Sequence, residues 1–313
     1  MMINRILVTG GSGFIGSNIV QYYLDKGRNV LCVSRSRPKV EGHLNCWRQC
    51  SVMDIERLKE IIIDFNPDFI IHLAGRTDET GKDLKDYRVN IEGVKNILEI
   101  AKCCSNLKKI MFTSSVMVKT AGQSKSLYGL TKAEGEKIIL ANPPLCDWAI
   151  IRPNAIWGPG FKGSLFSYFE IIRKGTFFKI NEIAGKKSFG YVGNTVYQID
   201  RILNTDTRGY NDKVFYVGDY VSYRINEWAD EIASVLGKRL KTLPLWVAKC
   251  AAMVGDVALL LGVNTPLTSR RLRGMRIDEI VDYEKTKAIA PNLPFTRLDG
   301  IKKTIEWMEN VKR

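Results

Sequence analysis

The sequence predicts an α/β protein with a doubly wound parallel sheet and a second, smaller domain toward the C-terminus. Two observations predict this fold class. Short apolar runs alternate with segments of helical periodicity through the first half of the chain, which is typical of a mostly parallel sheet covered by helices. In addition, the first apolar run, Arg5–Thr9, leads directly into a glycine-rich turn and a helical segment.

The glycine-rich turn reads TGGSGFIG over residues 9–16. Gly10 permits a tight turn, Gly13 lets the backbone approach a pyrophosphate, and Gly16 lets the helix pack closely on the strand. The unpaired N–H groups and the dipole at the helix N-terminus favour an anion there. The turn therefore predicts a dinucleotide site. The remaining residues expected to line it are Ser12, Phe14 and Ile15.

The other elements follow from the same alternation. The strand-like runs after the first are Val30–Ser34, Phe69–Leu73, Ile110–Ser114 and Trp148–Arg152. The predicted helices are Gly16–Lys26, Ile55–Phe65, Tyr87–Cys104 and Tyr128–Ala141. Right-handed crossovers between such strands place a site at their carboxyl ends. We expect residues 1–154 to form a dinucleotide-binding Rossmann domain.

Beyond Pro159 the alternation gives way to turn signals, short helical patterns and aromatic residues. We expect residues 155–313 to form a smaller substrate-binding domain, with possible returns to the sheet. The segment Leu243–Val263 is apolar, but Lys249 and Asp256 interrupt it, whereas a spanning helix needs about 20 mostly uncharged residues. A buried or surface-docked helical pair is therefore predicted, with peripheral membrane contact as the alternative and no integral membrane segment.

The composition of the 313 residues is that of an ordinary globular enzyme, with 45% hydrophobic and 26% charged residues. Seven cysteines without metal-type spacing favour reduced thiols and a cytoplasmic location. The only histidines are His43 and His72, so no metal site is expected. The first residues lead directly into a strand, which predicts no secretory signal.

The formal net charge is +14. The lysines and arginines are spread along the chain rather than clustered, which argues against a nucleic-acid partner. Such a charge attracts small polyanions, among them dinucleotides and nucleotide-linked substrates. Solvated surface charge accounts for most of it, and a weak attraction to anionic membrane surfaces stays open.

A second motif lies at Tyr128 and Lys132, which have YxxxK spacing. Positions four apart share a helix face, so the ammonium would stabilise the phenolate and lower the pKa of Tyr128. A tyrosine tuned in this way can act as a general acid and base. Ser114 and Ser115 end a strand shortly before it and could hold a substrate oxygen. Without the glycine turn, a surface Tyr and Lys on an ordinary helix would be the preferred interpretation.

With these motifs the chain resembles an extended short-chain dehydrogenase/reductase of the NAD-dependent epimerase/dehydratase kind. The resemblance covers the first half closely and the second half more loosely. The segments that carry it are TGGSGFIG (9–16), IHLAG (71–75), VNIEGVKNILEIA (89–101), FTSSV (112–116), YGLTKAEGE (128–136), IRPNAIWGPG (151–160) and PLTSRRLRGM (266–275).

The resemblance implies a role for each matching residue. Tyr128 would be the catalytic acid and base, and Lys132 would bind the nicotinamide ribose and tune Tyr128. Ser115, or in second place Ser114, would orient the reacting oxygen. Asn90 would support the lysine or the cofactor. The other implied cofactor contacts are Asp54 at the adenine, Leu73, Ala74 and Gly75 along the cofactor, and Pro153 and Asn154 near the nicotinamide.

Several of these assignments have structural alternatives. Asp54 is also placed to cap the helix that begins at Ile55, and both roles can hold. Asn90 could be an ordinary residue on a helix surface. The sugar-acting members commonly read RYFN where this chain reads Arg152-Pro153-Asn154-Ala155, and the loop between Ser115 and Tyr128 is short. These departures affect the transfer of substrate contacts.

Cofactor choice depends on the end of the second strand. An NAD site usually carries Asp or Glu there, about 20 residues beyond the glycines. This chain has Ser34 and Arg35 instead, followed by Arg37 and Lys39. Arginine pairs with a 2′-phosphate through charge-assisted hydrogen bonds, so NADP is predicted over NAD. The alternative is that Arg35 stacks on the adenine and either cofactor binds.

The leading prediction is an NAD(P)-dependent oxidoreductase that transfers a hydride to or from a nucleotide-activated sugar. Residues 160–164 resemble the GPGxKGN segment of polysaccharide-associated members, so Lys162 and Ser164 are expected near the substrate. A nucleotide-sugar 4-epimerase or dehydratase with tightly bound NAD, a 3β-hydroxysteroid-type dehydrogenase and a non-catalytic NADP sensor are the alternatives. The resemblance also implies a homodimer, formed by the predicted helices Tyr87–Cys104 and Tyr128–Ala141.

Overall fold

A computed structural model describes residues 4–124, 126–263, 265 and 267–310 of the chain. Its strands, in chain order, are β1 (Arg5–Thr9), β2 (Asn29–Ser34), β3 (Trp47–Gln49), β4 (Phe69–His72), β5 (Lys109–Thr113), β6 (Asp147–Pro153), β7 (Ala155–Trp157), β8 (Phe178–Ile180), β9 (Lys186–Lys187), β10 (Phe189–Tyr191), β11 (Val214–Val217), β12 (Tyr223–Arg224) and β13 (Lys241–Leu243).

The helices alternate with the strands through the first half of the chain. They are α1 (Phe14–Asp25), α2 (Ile55–Phe65), α3 (Val89–Ala101), α4 (Ala121–Ser124), α5 (Leu127–Ala141), α6 (Gly163–Lys174), α7 (Val192–Leu203), α8 (Ile225–Val235), α9 (Leu245–Leu260), α10 (Ser269–Gly274), α11 (Glu284–Ile289) and α12 (Arg297–Asn310). Short 3₁₀ turns cover Glu41–Cys46, Leu84–Tyr87 and Val116–Thr120.

The central sheet has seven strands in the order β11-β6-β5-β4-β1-β2-β3, and each neighbouring pair in it is parallel. The strand order reverses between β1 and β4, which is the switch point of a doubly wound fold. The predicted α/β fold with a doubly wound parallel sheet is therefore confirmed. The glycine turn after β1 lies at this switch point.

Two strands of the sheet were not predicted. β3 is the edge strand Trp47–Gln49, and its three residues are polar or partly exposed, so no apolar run marks it. β11 is the other edge strand and comes from residues 214–217, far along the chain. The predicted helix Tyr87–Cys104 begins later, at Val89, because Asp83 caps a separate 3₁₀ turn just before it.

Apolar side chains from neighbouring strands and helices fill the space on the sheet. Leu7, Ile70, Ile110 and Ile150 are fully buried on four strands of the sheet. Leu58, Ile61 and Ile62 of α2 pack in the same cluster, at helical spacing. This continuous burial is the reason that the strands read as unbroken apolar runs in the sequence.

The chain divides into two compact units. The first comprises Met1–Asn154, Val192–Gly218 and Tyr283–Pro294, and the second comprises Ala155–Tyr191, Asp219–Asp282 and Phe295–Arg313. The first unit contains the seven-stranded sheet. Substrate binding by residues 155–313 stays a prediction.

The second unit has an aromatic core. Trp157 is fully buried, with its ring centroid 5.6 Å from that of Phe169, 5.1 Å from that of Tyr191 and 5.3 Å from that of Trp228. The apolar segment predicted as a helical pair forms the single helix α9 instead, and its partner α10 comes from residues 269–274. No described helix is both long enough and apolar enough to cross a bilayer.

Candidate active site

The glycine turn is shaped by close backbone approach. Gly10 has φ of +73°, and a Cβ placed there would lie 2.8 Å from the backbone nitrogen of Ala74. A Cβ on Gly16 would lie 2.3 Å from the carbonyl oxygen of Gly10. Only glycine fits at these two positions without a backbone shift. The turn thus holds the start of α1 directly against the end of β1.

The N-terminus of α1 suits the diphosphate of a dinucleotide. The N-cap residue is the exposed Gly13, which has no side chain to cap the helix. The first turn of α1 carries no acidic residue. The first N–H groups of a helix attract an anion when no side chain occupies them. Ser12, Phe14 and Ile15 are each partly exposed beside Gly13. These features fit a bound dinucleotide.

The end of β2 differs in detail from the sequence expectation. The buried hydroxyl of Ser34 donates a 2.9 Å hydrogen bond to the carbonyl oxygen of Ser36 and accepts one from Trp47 Nε1, also at 2.9 Å. Its single proton is therefore engaged within the protein. Arg35 is exposed at this position, and its contact with a 2′-phosphate stays a prediction. The contact with Trp47 could not be predicted from the sequence.

Asp54 is an N-cap residue. Its carboxylate accepts a 3.2 Å hydrogen bond from the backbone N–H of Arg57, in the first turn of α2. The capping role is thus present in the structure. The adenine contact of Asp54 stays a prediction.

The segment after β4 runs beside the glycine turn. The N–H of Leu73 donates to the carbonyl oxygen of Thr9 at 3.1 Å, and the N–H of Ala74 donates to Thr9 Oγ1 at 3.3 Å. Thr9 Oγ1 is also 2.8 Å from Nδ1 of the buried His72. The end of β4 is therefore tied to the end of β1, where the predicted cofactor contacts meet.

Asn90 is buried at the start of α3, so it is not an ordinary residue on a helix surface. Its Oδ1 accepts a 2.8 Å hydrogen bond from the N–H of Arg76, and its Nδ2 donates to the carbonyl oxygen of Arg76 at 3.1 Å and to Thr131 Oγ1 at 3.2 Å. A Cβ on Gly75 would lie 2.7 Å from Asn90 Oδ1 and 3.2 Å from Lys132 Nζ. Asn90 therefore positions the loop after β4 against α5.

The side chain of Ser115 lies close enough to Tyr128 to lower the pKa of its hydroxyl. Ser115 caps the 3₁₀ turn Val116–Thr120, and its Oγ accepts a 3.2 Å hydrogen bond from the N–H of Met117. Ser126 caps α5 by accepting from the N–H of Gly129 at 3.1 Å. These two caps fix the serine and the tyrosine at the carboxyl edge of the sheet.

The expectation of a lowered pKa for Tyr128 is wrong for this structure. Burial raises the pKa of Tyr128, and the negative charge of Glu79 raises it further, whereas the side chain of Ser115 lowers it. The ammonium of Lys132 is directed elsewhere, since its Nζ donates a 2.8 Å hydrogen bond to the carbonyl oxygen of Thr113. The influence of Glu79 could not be inferred from spacing.

Lys132 is buried, and this burial lowers its pKa to about 8, while the negative charge of Glu136 acts in the opposite direction. Glu136 itself is buried and pairs with Arg152 at 2.5 Å. The lysine is therefore held in an environment where the charged and neutral forms are close in free energy near pH 8.

Other predicted residues lie at the same edge of the sheet. Ser114 is buried, and its Oγ has no hydrogen-bond partner among the described residues, as is also true of Thr113 Oγ1. Pro153 ends β6 and is buried. Asn154 follows it, and its Nδ2 donates a 3.3 Å hydrogen bond to the hydroxyl of Tyr283. Unpaired buried hydroxyls at Thr113 and Ser114 suit a polar ligand.

Lys162 and Ser164 belong to the second unit. Lys162 is the N-cap residue of α6, and Ser164 lies in the first turn of that helix, with both side chains exposed. Their contact with a substrate stays a prediction.

The fold and this arrangement define a dinucleotide-dependent enzyme of the short-chain dehydrogenase/reductase class. The glycine turn and the side chains of Ser115, Tyr128 and Lys132 lie in the same unit. In agreement, the model of the NAD dependent epimerase/dehydratase family matches residues 6–218. The chain belongs to this family, is an enzyme, and uses an NAD-type dinucleotide.

Known proteins similar to this chain include epimerases and a sterol dehydrogenase. The "UDP-glucose 4-epimerase" of Vibrio cholerae is 28% identical, covering 97% of this chain and 95% of its own length. The "N-acetyl-alpha-D-glucosaminyl-diphospho-ditrans,octacis-undecaprenol 4-epimerase" of Escherichia coli O157:H7 is 23% identical, covering 98% and 96%. The decarboxylating "sterol-4-alpha-carboxylate 3-dehydrogenase" of Saccharomyces cerevisiae is 24% identical, covering 98% of each chain.

A similar fold occurs among solved structures. The UDP-glucuronic acid 4-epimerase from Bacillus cereus, solved with NAD, superposes with a TM-score of 0.76 at 17% identity, covering 99% of this chain and 100% of its own. At that identity the likeness establishes the shared fold.

Proposed function

We propose that this enzyme is an NADP-dependent oxidoreductase that transfers a hydride to or from a ring carbon of a nucleotide-activated sugar. The observation that carries the proposal is that Ser115, Tyr128 and Lys132 lie at the carboxyl edge of the sheet, where a ligand of this fold class binds. There Lys132 Nζ donates a hydrogen bond to the carbonyl oxygen of Thr113, and the side chain of Ser115 lowers the pKa of Tyr128.

The chemistry assigned to these residues is proton transfer. A bound nicotinamide supplies or accepts the hydride. In the reducing direction the hydroxyl of Tyr128 gives its proton to the oxygen of the carbonyl that becomes the alcohol, and in the oxidising direction Tyr128 takes that proton back. Ser115 holds the reacting oxygen by hydrogen bonding, and Lys132, held at the sheet edge by its hydrogen bond to the carbonyl oxygen of Thr113, binds the nicotinamide ribose.

The choice of NADP is supported by the exposed Arg35 after β2 and by the absence of an acid at that position. A carboxylate there would bind the ribose 2′-hydroxyl of NAD and would repel a 2′-phosphate. A reductase that exchanges NADPH with the cellular pool fits this site. Lys162 and the net charge of +14 support attraction of a substrate diphosphate.

A 4-epimerase or dehydratase that retains NAD is the second candidate. The names of the Vibrio cholerae and Escherichia coli relatives favour it. Such an enzyme returns the hydride to its substrate, so it predicts co-purified NAD and no net consumption of NADPH.

A 3β-hydroxysteroid-type dehydrogenase is the third candidate. The yeast sterol dehydrogenase favours it, together with the exposed apolar side chains of α9. It predicts oxidation of a hydrophobic secondary alcohol in place of a sugar.

The assembly proposed is a homodimer, in which α3 and α5 of both copies form a four-helix interface. These two helices already pack against each other within the chain. The seven cysteines are free of disulfides, which supports a reducing compartment such as the cytoplasm.

The test is to denature the purified protein, assay the released dinucleotide, and titrate the emptied protein with NADPH and NADH. We expect little released cofactor and tighter binding of NADPH. Arg35→Asp should lower NADPH affinity about tenfold to a hundredfold, the range of one charge-assisted contact. The matched control Arg28→Asp removes an exposed arginine before the opposite end of β2 and should leave the preference intact.

Abundant released NAD with weak NADPH binding would contradict the cofactor assignment and make the epimerase the leading candidate. A preference for NADPH that survives Arg35→Asp would show that another group binds the 2′-phosphate of NADPH.

A further inference from the structure

Helix α9 packs with its small residues inward. Its buried side faces Ile180, Ile183 and Leu272 of the second unit through Ala248, Ala252 and Gly255, with Leu245 at the start. A Cβ on Gly255 would lie 2.0 Å from the carbonyl oxygen of Leu267. The backbone at Leu267 therefore packs closely against the buried face of α9. The larger side chains of α9 lie on its opposite, exposed face.

Those larger side chains form an exposed apolar stripe. The stripe consists of Trp246, Met253, Val254, Val257 and Leu260, all exposed, with Trp246 at 68% and Leu260 at 87%. The spacing of these residues places them on one half of the helix surface. An ordinary surface helix has the opposite pattern, with its large apolar residues turned inward. Contiguous exposed apolar surface of this kind marks an interaction site.

The stripe is accompanied by positive charge. Residues 241–276 contain six lysines and arginines and one acid, Asp256. Asp256 accepts a 3.0 Å hydrogen bond from the N–H of Ser269, which joins α9 to the start of α10. Arg270, Arg273 and Arg276 are exposed on and just after α10. The stretch that forms α9 and α10 is therefore positively charged, and it complements an anionic surface.

We propose that the apolar stripe of α9 and the arginines of α10 dock this enzyme on the surface of an anionic bilayer. The stripe would enter the boundary between headgroups and acyl chains, with Trp246 at the interface, while the arginines meet the lipid phosphates. The helix lies in the membrane plane and does not span it, since its 16 residues are too few for the hydrocarbon core.

A second copy of this chain fits the surface less well. Two-fold pairing of the stripes would bring the arginines of both α10 helices toward one interface, and like charges in an interface are unfavourable. A bilayer rich in phosphate groups has the complementary sign. The proposal does not depend on the reaction that the enzyme catalyses.

The test is co-sedimentation of the full chain with vesicles of phosphatidylglycerol and phosphatidylethanolamine, compared with vesicles of phosphatidylcholine alone. We expect binding to the anionic vesicles, weakened by salt. Val257→Glu with Leu260→Glu should lower the bound fraction about tenfold or more, because two carboxylates would enter the headgroup region. The matched control Ile63→Glu with Leu145→Glu adds the same charge at exposed apolar positions of the first unit and should change binding less.

The basic residues are tested separately. Arg270→Gln with Arg276→Gln should weaken binding to anionic vesicles about thirtyfold, from about fivefold for each charge near the surface. Lys174→Gln with Lys302→Gln removes the same charge from exposed positions of α6 and α12 and is the control. Circular dichroism and dinucleotide binding check that each variant is folded.

Equal binding to both kinds of vesicle, or equal loss in the stripe variants and their controls, would overturn the proposal. So would a dimer, seen by light scattering, that Val257→Glu with Leu260→Glu splits while the wild-type chain fails to bind vesicles. That last outcome would assign the stripe to a second copy of this chain.

Discussion

Lys132 donates a 2.8 Å hydrogen bond from Nζ to the carbonyl oxygen of Thr113, which joins α5 to the carboxyl end of β5. The bond fixes the ammonium at the sheet edge, and there burial lowers the pKa of Lys132 to about 8. When Lys132 is charged, its burial therefore lowers the free energy of unfolding of the protein. A buried polar group in such a place is commonly part of a functional site.

Lys132→Met tests this cost through its dependence on pH. Burial lowers the pKa of Lys132 in the folded protein to about 8, from the ordinary value of 10.5 that holds in the unfolded chain. Between these values the unfolded state binds more protons, so the contribution of Lys132 to stability rises with pH. We expect the free energy of unfolding of wild type, relative to Lys132→Met, to rise on the order of 3 kcal/mol across this window.

Urea unfolding at both ends of the window measures the difference. Lys137→Met, at an exposed position of the same helix, is the control and should show no such rise. A constant difference between wild type and Lys132→Met would mean that the lysine titrates in the folded state as it does in water.

Tyr128→Phe tests the proposed acid and base. The change removes the Tyr128 hydroxyl, whose pKa the side chain of Ser115 lowers, and keeps the ring. We expect turnover to fall about 10²- to 10⁴-fold, the usual contribution of general acid–base catalysis, with dinucleotide affinity nearly unchanged. Tyr210→Phe, at a tyrosine whose ring packs on Phe215 in the first unit, serves as the control in the same steady-state assay. Normal turnover in Tyr128→Phe would refute the mechanism.

Gly75→Ala tests the close packing around Asn90. The new Cβ would lie 2.7 Å from Asn90 Oδ1 and 3.2 Å from Lys132 Nζ, so both side chains must move. We expect a loss of stability of about 1–3 kcal/mol, the usual range for overpacking, together with weaker dinucleotide binding. Thermal unfolding and a binding titration measure the two effects.

Gly122→Ala is the matched control for that change. A Cβ there meets no atom within 4 Å, so stability and binding should stay at wild-type values or rise slightly through helix propensity. If both alanine variants behave alike, the contact of Gly75 with Asn90 has no consequence for the site.

Asp54→Ala tests the cap of α2. The carboxylate accepts the N–H of Arg57, and loss of such a cap costs about 1 kcal/mol. Asp54→Asn keeps an acceptor oxygen and should unfold at nearly the wild-type denaturant concentration. A dinucleotide titration of Asp54→Ala then reports separately on the predicted adenine contact. Equal stability of all three proteins would mean that Asp54 does not stabilise the helix.

Much of the fold could be predicted because the signals are local. Helix α2 has the predicted bounds Ile55–Phe65, since its apolar residues are periodic and Asp54 marks its start. The edge strand β3 could not be predicted, because Trp47–Gln49 is three residues long and partly exposed. Its recognition requires knowing that it pairs with β2.

Some features of the candidate site could likewise be predicted from the sequence, and others could not. Gly10 and Tyr128 lie in motifs of fixed spacing, and such motifs are visible in one sequence. The Trp47–Ser34 hydrogen bond and the effect of Glu79 on the pKa of Tyr128 join residues that are distant along the chain. The direction of that pKa shift follows from burial, which spacing does not reveal.

The sheet-containing unit is assembled from three separate stretches of chain, the last of which is Tyr283–Pro294. During synthesis on the ribosome, β6 emerges as an open edge and stays one until Val214–Val217 has been made, because that strand is its parallel partner. An exposed strand edge invites mispairing. A fragment ending at Asn154 should therefore aggregate, and an isolated cofactor-binding unit would have to be built by circular permutation or by fusing the three stretches.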